Sequence, residues 1–360
     1  MEKLRIGVIG TGFAKNVQIP SFLKTGNAEI VSVASANLEK ARQTAEQFSI
    51  KHFTNDWRET ASHKDVDLVC VTTPPIFHEE MTLFSLEHEK HVLCEKPMAM
   101  NAEQAKKMLE KAQEKAHLLC LIDHELRFQN GRKIAYKLIR DGQIGKIRHI
   151  KYNFRAPHRG NPELPWNWWY DESQGGGVLG AIVSHVFDSI RWFSGAEVCQ
   201  VFCQLQTHIK QRRDNSGLMR KVTSDDEANL ILRLTDNELT EDATVNISSS
   251  MVEYPIYQNR IEIFGSRGSL RIEFDGRLFI GKPEKEEWQA VEVELDERLE
   301  GVKNTGWGDA FLAFAKVLVK SLISGERKVE GAATFEDGYK VQLILDAAKR
   351  SNQIGCAVKV

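Results

Sequence analysis

The chain has 360 residues, more than one hydrophobic core usually organises, so two domains are expected. Hydrophobic residues make up 42% and charged residues 27%, the composition of an ordinary folded protein rather than a disordered or fibrous one. Lys and Arg number 48 against 50 Asp and Glu, a net charge of -2, which excludes a basic field for nucleic acid or anionic membrane and leaves a small molecule as the expected partner.

From the N-terminus, short and nearly continuous apolar runs alternate with helical stretches. The runs are Leu4 to Ile9, Ile30 to Ala34, Leu68 to Thr72, His91 to Cys94 and Leu118 to Ile122. Strands buried on both faces read this way, and their alternation with helices predicts a doubly wound parallel sheet. Leu38 to Phe48 is one expected helix, and Ala102 to Ala116 is another, with Asn101 as N-cap and Gln104 three residues on. The first run, straight after Met1-Glu2-Lys3, is too short and too soon interrupted by Gly7 to be a signal-peptide core, and no 18-residue apolar stretch follows, so a cytoplasmic location and no membrane association are expected.

From about Ile147 the period changes to two. Ile150, Tyr152 and Phe154 alternate with polar residues, as do Ala228, Leu230, Leu232 and Leu234. Further strands are expected over Val245 to Met251, Ile261 to Phe264, Leu270 to Phe274 and Val291 to Leu295, with Gly265-Ser266-Arg267-Gly268 as a hairpin connection. Helices are expected over Gly177 to Phe193, Asp309 to Ile323 and Phe335 to Lys349. The fold class is therefore an N-terminal parallel α/β domain, residues 1–124, followed by an α+β domain on a large, mostly antiparallel open sheet, residues 125–360. The six cysteines are scattered and expected to be reduced; Cys199 and Cys203 lie about 13 Å apart on an extended strand, beyond disulfide reach. No HExxH, paired CxxC or carboxylate cluster at ligand spacing is present, so no metal is expected.

The first strand ends in Gly10-Thr11-Gly12-Phe13-Ala14-Lys15. Two glycines permit a tight turn and a close approach of backbone amides to a pyrophosphate, the arrangement of a Rossmann dinucleotide site; Lys15 replaces the third glycine. The second strand ends in Ala34-Ser35-Ala36-Asn37, without the carboxylate that holds the ribose hydroxyls of NAD. Nothing there repels a 2'-phosphate, and Ser35 and Asn37 can donate to one, so NADP is favoured over NAD.

Thr72-Thr73-Pro74-Pro75-Ile76-Phe77-His78, Glu95-Lys96-Pro97, Arg127-Phe128, Gly142 to Ile147, Gly175-Gly176-Gly177, Leu179, His185 and Asp188 follow in order. With the N-terminal glycines, they resemble the landmarks of the glucose-fructose oxidoreductase and inositol dehydrogenase family, Gfo/Idh/MocA, over nearly the whole chain. The resemblance implies hydride transfer between a nicotinamide and a sugar, polyol or related alcohol, and a homo-oligomer, dimer or tetramer, joined through the C-terminal sheet. It also implies a cofactor site drawn from Gly10, Thr11, Gly12, Phe13, Ser35, Asn37, Thr73, Pro74, His78, Glu95, Lys96 and Arg127.

Oxidising an alcohol requires a base for the hydroxyl proton while hydride departs. Lys96, at the carboxyl edge of a buried parallel strand, is expected to polarise the oxygen. His185 is expected to exchange the proton. On an α-helix, Ala181, His185, Asp188 and Trp192 share one face. Many family members carry Asp where this chain has Ala181, and Gly where it has Val183, so either the substrate or Asp188 compensates, or the activity is altered or lost. Trp166, Trp168, Asp188 and Arg155 are the expected substrate contacts, with Trp166 and Trp168 in an aromatic wall or in core, and Arg155 on substrate or on a surface acid. Two rival readings stand beside the oxidoreductase: an NAD-retaining glycosidase of the same fold, and a non-catalytic cofactor-bound sensor or regulatory protein.

Overall fold

The computed structural model describes residues 2–360. Contacts divide the chain into two compact units, one running to Phe128 and taking in Asp296–Tyr339, the other comprising Gln129–Leu295 and Lys340–Val360.

The first unit is built on six parallel strands: β1 (Leu4–Ile9), β2 (Ala28–Ala34), β3 (His52–Thr54), β4 (Leu68–Val71), β5 (His91–Cys94) and β6 (Cys120–Ile122). Their order across the sheet is β3-β2-β1-β4-β5-β6, with the reversal of direction between β1 and β4. In sheets of this kind ligands bind outside the carboxyl ends at that reversal. Strands β1 and β5 lie where their apolar runs place them. β3 has only three residues, His52, Phe53 and Thr54, too short to carry a periodic signal, and it was not expected.

Helices cover both faces: α1 (Ile19–Lys24), α2 (Leu38–Phe48), α3 (Trp57–Ala61), α4 (His78–Glu87) and α5 (Ala102–Glu114). Asn101 caps α5 by accepting from the Gln104 N–H (3.0 Å). Gln104 returns its side chain to the Met100 N–H (3.0 Å) rather than to Asn101. A later helix of the same unit, α8 (Trp307–Ile323), adds Phe311, Phe314, Leu318 and Leu322 to the core that holds Leu4, Ile6 and Phe22. Phe311 meets the Phe22 ring edge-on at 5.5 Å and Phe314 stacks on Phe128 at 4.6 Å. Long-range packing, not local pattern, assigns α8 to this core.

The second unit carries a nine-stranded sheet. In chain order its members are β7 (Ile147–Arg155), β8 (Val198–Gln206), β11 (Glu227–Leu234), β12 (Thr240–Ser250), β13 (Gln258–Gly265), β14 (Ser269–Ile272), β15 (Leu278–Gly281), β16 (Gln289–Val291) and β17 (Val358–Lys359), while β9 (Gln211–Arg213) and β10 (Met219–Lys221) form a separate hairpin. The order is β16-β15-β14-β13-β7-β12-β11-β8-β17, antiparallel throughout except for the parallel pair β7/β12. The period-two residues Ile150, Tyr152 and Phe154 are all buried, as are Leu230 and Leu232. The β13/β14 hairpin closes through Gly265 N–H to Gly268 O (2.8 Å). The last expected strand is corrected: pairing stops at Val291, because Glu292 to Leu295 alternate in sequence but find no partner strand.

The helix expected over Gly177 to Phe193 is also corrected. Residues Leu179–Val183 form a π turn, and only α7 (Ser184–Ser194) is α-helical. A wider turn breaks the 3.6-residue phase, so the single face drawn through Ala181, His185, Asp188 and Trp192 holds only from residue 184 onward. Helices α6 (Asn130–Arg140) and α9 (Phe335–Ile354) complete the fold, α9 running five residues past its expected end. All six cysteines are free thiols.

Candidate active site

The turn after β1 places its two glycines for different reasons. Gly10 has φ +105°, and a Cβ there would lie 2.4 Å from the Thr72 carbonyl oxygen at the end of β4. A Cβ on Gly12 would meet nothing within 4 Å, so open space lies on the side-chain side of this residue. Gly10 lets two strand ends close together, and Gly12 leaves room for a ligand on the outer side. Thr11 and Phe13 flank that space half-exposed. The helix that follows starts as a π turn over Ala14–Gln18, with Ala14 fully buried and Lys15 half-buried. Ala14 therefore supplies the small packing residue that the missing third glycine would have supplied.

At the end of β2, Ser35 is half-buried and Asn37 exposed. Asn37 caps α2, accepting from the Lys40 N–H (3.0 Å). Its acceptor oxygen is thus committed, and its NH₂ is the group left to face a ligand. Ser35 Oγ lies 3.4 Å from Thr11 Oγ1, which brings the β2 end beside the glycine turn.

Two loops meet at the carboxyl edge of β4 and β5. His78 is fully buried, with Nε2 facing the Thr73 carbonyl (2.8 Å) and Nδ1 facing that of Pro97 (3.0 Å). The ring ties the Thr73-Pro74 loop to the loop after Lys96, and its surface is spent on the protein. Burial holds its pKa below the usual histidine range, against the pull of the carbonyls. Replacing it with phenylalanine removes the ring N–H and leaves one of these two carbonyls without its donor. We expect His78→Phe to lower unfolding free energy by about 1–3 kcal/mol, read by urea denaturation.

Lys96 is half-buried at the end of β5, and its peptide bond to Pro97 is cis. Glu95 points inward, where its Oε1 accepts from Gln18 Nε2 (3.0 Å). The same amide donates to Asp123 Oδ2 (2.9 Å) at the end of β6. Arg127 is nearly enclosed, its Nη2 3.3 Å from Asp337 Oδ1. Gln18 and Asp123 were not singled out from the sequence. A polar run, Asp123-His124-Glu125, at the end of a buried strand was the available signal, and all three side chains are buried.

In the second unit, Gly177 has φ +113°, and a Cβ on it would lie 2.3 Å from Asp225 Oδ1. Asp225 Oδ2 in turn accepts from the Leu179 N–H (2.7 Å), so the glycine run and this carboxylate anchor the π turn that leads into α7. His185 and Asp188 sit one turn along, 2% and 1% exposed. Arg132 Nη1 donates to Ser189 Oγ (3.1 Å) on the same helix.

The aromatic segment divides. Trp168 is exposed, and Trp166 donates its indole N–H to the Lys221 carbonyl (3.1 Å). Trp169 and Tyr170 are buried, with the Arg159 guanidinium 3.8 Å above the Trp169 ring and that of Arg212 4.3 Å from the Tyr170 ring. The first two tryptophans are thus available to a ligand and the next two aromatics are core. Arg155 is exposed and pairs with Glu253 (3.1 Å). Among the described residues, no group of three or more His, Cys, Asp or Glu is arranged to hold a metal ion, and no helix is long and apolar enough to cross a membrane.

Residues 4–124 match the oxidoreductase family with an NAD-binding Rossmann fold, GFO_IDH_MocA, and residues 133–271 match the GFO/IDH/MocA C-terminal domain. The chain belongs to the Gfo/Idh/MocA family. It is 28% identical to an uncharacterized oxidoreductase of Synechocystis, over 97% of this chain and 94% of that one. It is 26% identical to a levoglucosan dehydrogenase of Pseudarthrobacter phenanthrenivorans, over 98% and 96%. A solved levoglucosan dehydrogenase in complex with NADH and levoglucosan superposes with a TM-score of 0.87 at 24% identity, over 99% of each chain, a likeness of fold. As a Gfo/Idh/MocA protein the chain is an NAD(P)-binding oxidoreductase.

Proposed function

We propose that this protein interconverts a sugar-like alcohol and its carbonyl, with residues 1–124 binding the dinucleotide and residues 125–360 supplying the substrate contacts. The observation that carries the reading is the loop Glu95-Lys96-Pro97, tied through His78 to the loop after β4, at the sheet edge where the glycine turn leaves open space. A bound nicotinamide supplies the site from which hydride leaves or to which it is delivered. The amides of Gly10 to Phe13 would hold its pyrophosphate, with Thr73 and Pro74 beside them and Arg127 completing the edge. Lys96 places an ammonium where the substrate oxygen acquires charge, and His185 takes or returns the hydroxyl proton. Trp166, Trp168, Asp188 and Arg155 are the proposed substrate contacts. The levoglucosan dehydrogenase relative supports a sugar-like substrate. Reduction of bound cofactor in a single turnover, against a panel of sugars and polyols, tests the reading. A chain that binds cofactor tightly and reduces none with any of them would be a sensor, and release of a glycoside aglycone without net reduction would make it an NAD-retaining glycosidase.

NADP is the proposed preferred cofactor. The β2 end offers the Ser35 hydroxyl and the Asn37 NH₂, and the nearest downstream carboxylate, Glu39, is held by Arg42 (2.6 Å) and Gln43 (2.7 Å). We expect calorimetric titration to give tighter binding of NADP than of NAD. Ser35→Asp should reverse the order by repelling the 2'-phosphate. Equal affinities in the unsubstituted protein would remove this preference.

A further inference from the structure

Behind Lys96 lies a group of side chains that the hydride-transfer reading does not use. Gln18 and Asp123 have no exposed surface, and Glu95 is 9% exposed. They come from three separate elements at the carboxyl edge of the first sheet: the π turn after the glycine loop, the end of β5 and the end of β6. The Gln18 amide has two hydrogens and gives one to each carboxyl group, to Glu95 Oε1 at 3.0 Å and to Asp123 Oδ2 at 2.9 Å. Sharing that one nitrogen holds the two carboxyl groups close together, both out of water. An ionised carboxylate can only accept, so two buried carboxyls this close cannot satisfy each other unless one of them carries a proton.

The neighbours decide which one carries it. The Lys96 charge acts on Glu95, whose Oε2 also lies 3.4 Å from the Lys96 backbone nitrogen. Asp123 faces two carboxylates, Glu95 and Glu125. The other titratable groups against the pair are the buried thiols of Cys70 and Cys94, both kept neutral by desolvation. Burial pushes both carboxyls up, while Lys96 pulls Glu95 back down and the two acidic neighbours push Asp123 further up. Like-charged carboxyls in contact and out of water separate in this way into one acid and one base. Gln18 Oε1 and Asp123 Oδ1 are enclosed without a hydrogen-bond partner. Such enclosed oxygens resist a second negative charge, because no donor is there to solvate it.

We infer that Asp123 is a protonated carboxylic acid that donates to an ionised Glu95, and that Glu95 is the fixed counter-charge of Lys96, with Gln18 and Asp123 as positioning residues that keep this charge single and in place. The inference rests on the reading of Lys96 as the group that engages the substrate oxygen. Two ionised carboxylates behind Lys96 would compete with the substrate for its ammonium, and none would leave that charge without a counter-charge. One buried charge avoids both.

Two measurements on the full chain test this without cofactor or substrate, so that they are independent of turnover. The first is infrared spectroscopy at about pH 8, well above the ordinary carboxyl range. A C=O band of a protonated carboxyl group is expected in the unsubstituted protein and is expected to vanish in the near-isosteric Asp123→Asn. The second is competitive acetylation by acetic anhydride at the same pH, with Lys96 read by mass spectrometry against the exposed Lys328. Glu95→Gln removes the counter-charge and should raise Lys96 acetylation by about tenfold relative to Lys328, whereas Asp123→Asn, which replaces a neutral group, should leave the ratio within about twofold. Absence of the band in the unsubstituted protein overturns the inference, whether or not either variant folds. So does an Asp123→Asn protein whose Lys96 reacts as fast as that of Glu95→Gln. Failure of the sugar panel would count against the proposed reaction and leave the shared proton standing.

Discussion

Replacing Lys96 or His185 with alanine is expected to slow hydride transfer by about a hundredfold or more, while cofactor affinity stays within a few fold. The two side chains come from different units, Lys96 from the end of β5 and His185 from the first turn of α7. Neither is among the backbone donors proposed for the pyrophosphate, so the cost should fall on the chemical step. Stopped-flow absorbance of the nicotinamide separates binding from transfer. Lys96→Ala removes the ammonium from the developing oxyanion, and His185→Ala removes the proton acceptor. Each alone should account for most of the loss, because groups acting in one step are not additive. Turnover indifferent to both substitutions would take them out of the mechanism. The outcome also bears on Ala181: a fully active His185 with alanine at 181 means that no carboxylate is required on the preceding turn.

The second large effect is expected in the glycine turn, where Gly10→Val and Gly12→Ala should both abolish tight cofactor binding but differ in stability. Valine at 10 would require a β-branched residue at φ +105° with its Cβ 2.4 Å from the Thr72 carbonyl. The backbone strain alone is about 1–3 kcal/mol, and opening the β1/β4 contact adds to it. At about 2–4 °C per kcal/mol for a unit of this size, Tm should fall by several degrees or more. Alanine at 12 meets no protein atom within 4 Å and needs no unusual backbone angle, so stability should change by no more than about 0.5 kcal/mol. The methyl would instead stand in the space left for the pyrophosphate. Calorimetry with NADP and differential scanning on both variants separate the two roles. A Gly12→Ala protein that binds normally would show that the open space is not the pyrophosphate site.

Much of this protein is written locally. The apolar runs of β1, β2, β4 and β5 can be read from sequence because strands buried on both faces admit little else. The strands of the second sheet betray themselves by alternation, since one face of each is buried. The Gly10-Thr11-Gly12 turn, the Asn101 cap and the Glu95-Lys96-Pro97 segment are equally local, each set by residue type within a few positions. Even the absence of an acid after β2 is legible, although the capping role of Asn37 shows that a polar residue there can have two occupations.

Other features depend on contacts that no local pattern encodes. The π turns at Ala14–Gln18 and Leu179–Val183 have no local sequence signal, and the latter breaks a periodicity that the apolar residues alone predict to be unbroken. The second of them is anchored by Asp225, 46 residues away from Leu179. Helix α8 joins the first core through Phe311 and Phe314, although nearly the whole second sheet intervenes in the chain. His78 is a ligand candidate by sequence and a tie between two carbonyls by structure, because only folding brings Thr73 and Pro97 to its two nitrogens. The same holds for the pair behind Lys96. Sequence shows an acid at 95 and another at 123, separated by a helix and a strand; the sheet closes that separation, Gln18 joins them through one amide, and exclusion of water makes their two charges compete for one place. Residue types determined which chemistry the chain carries, and burial and proximity, which are properties of the packed sheet, decided which of those groups stays charged.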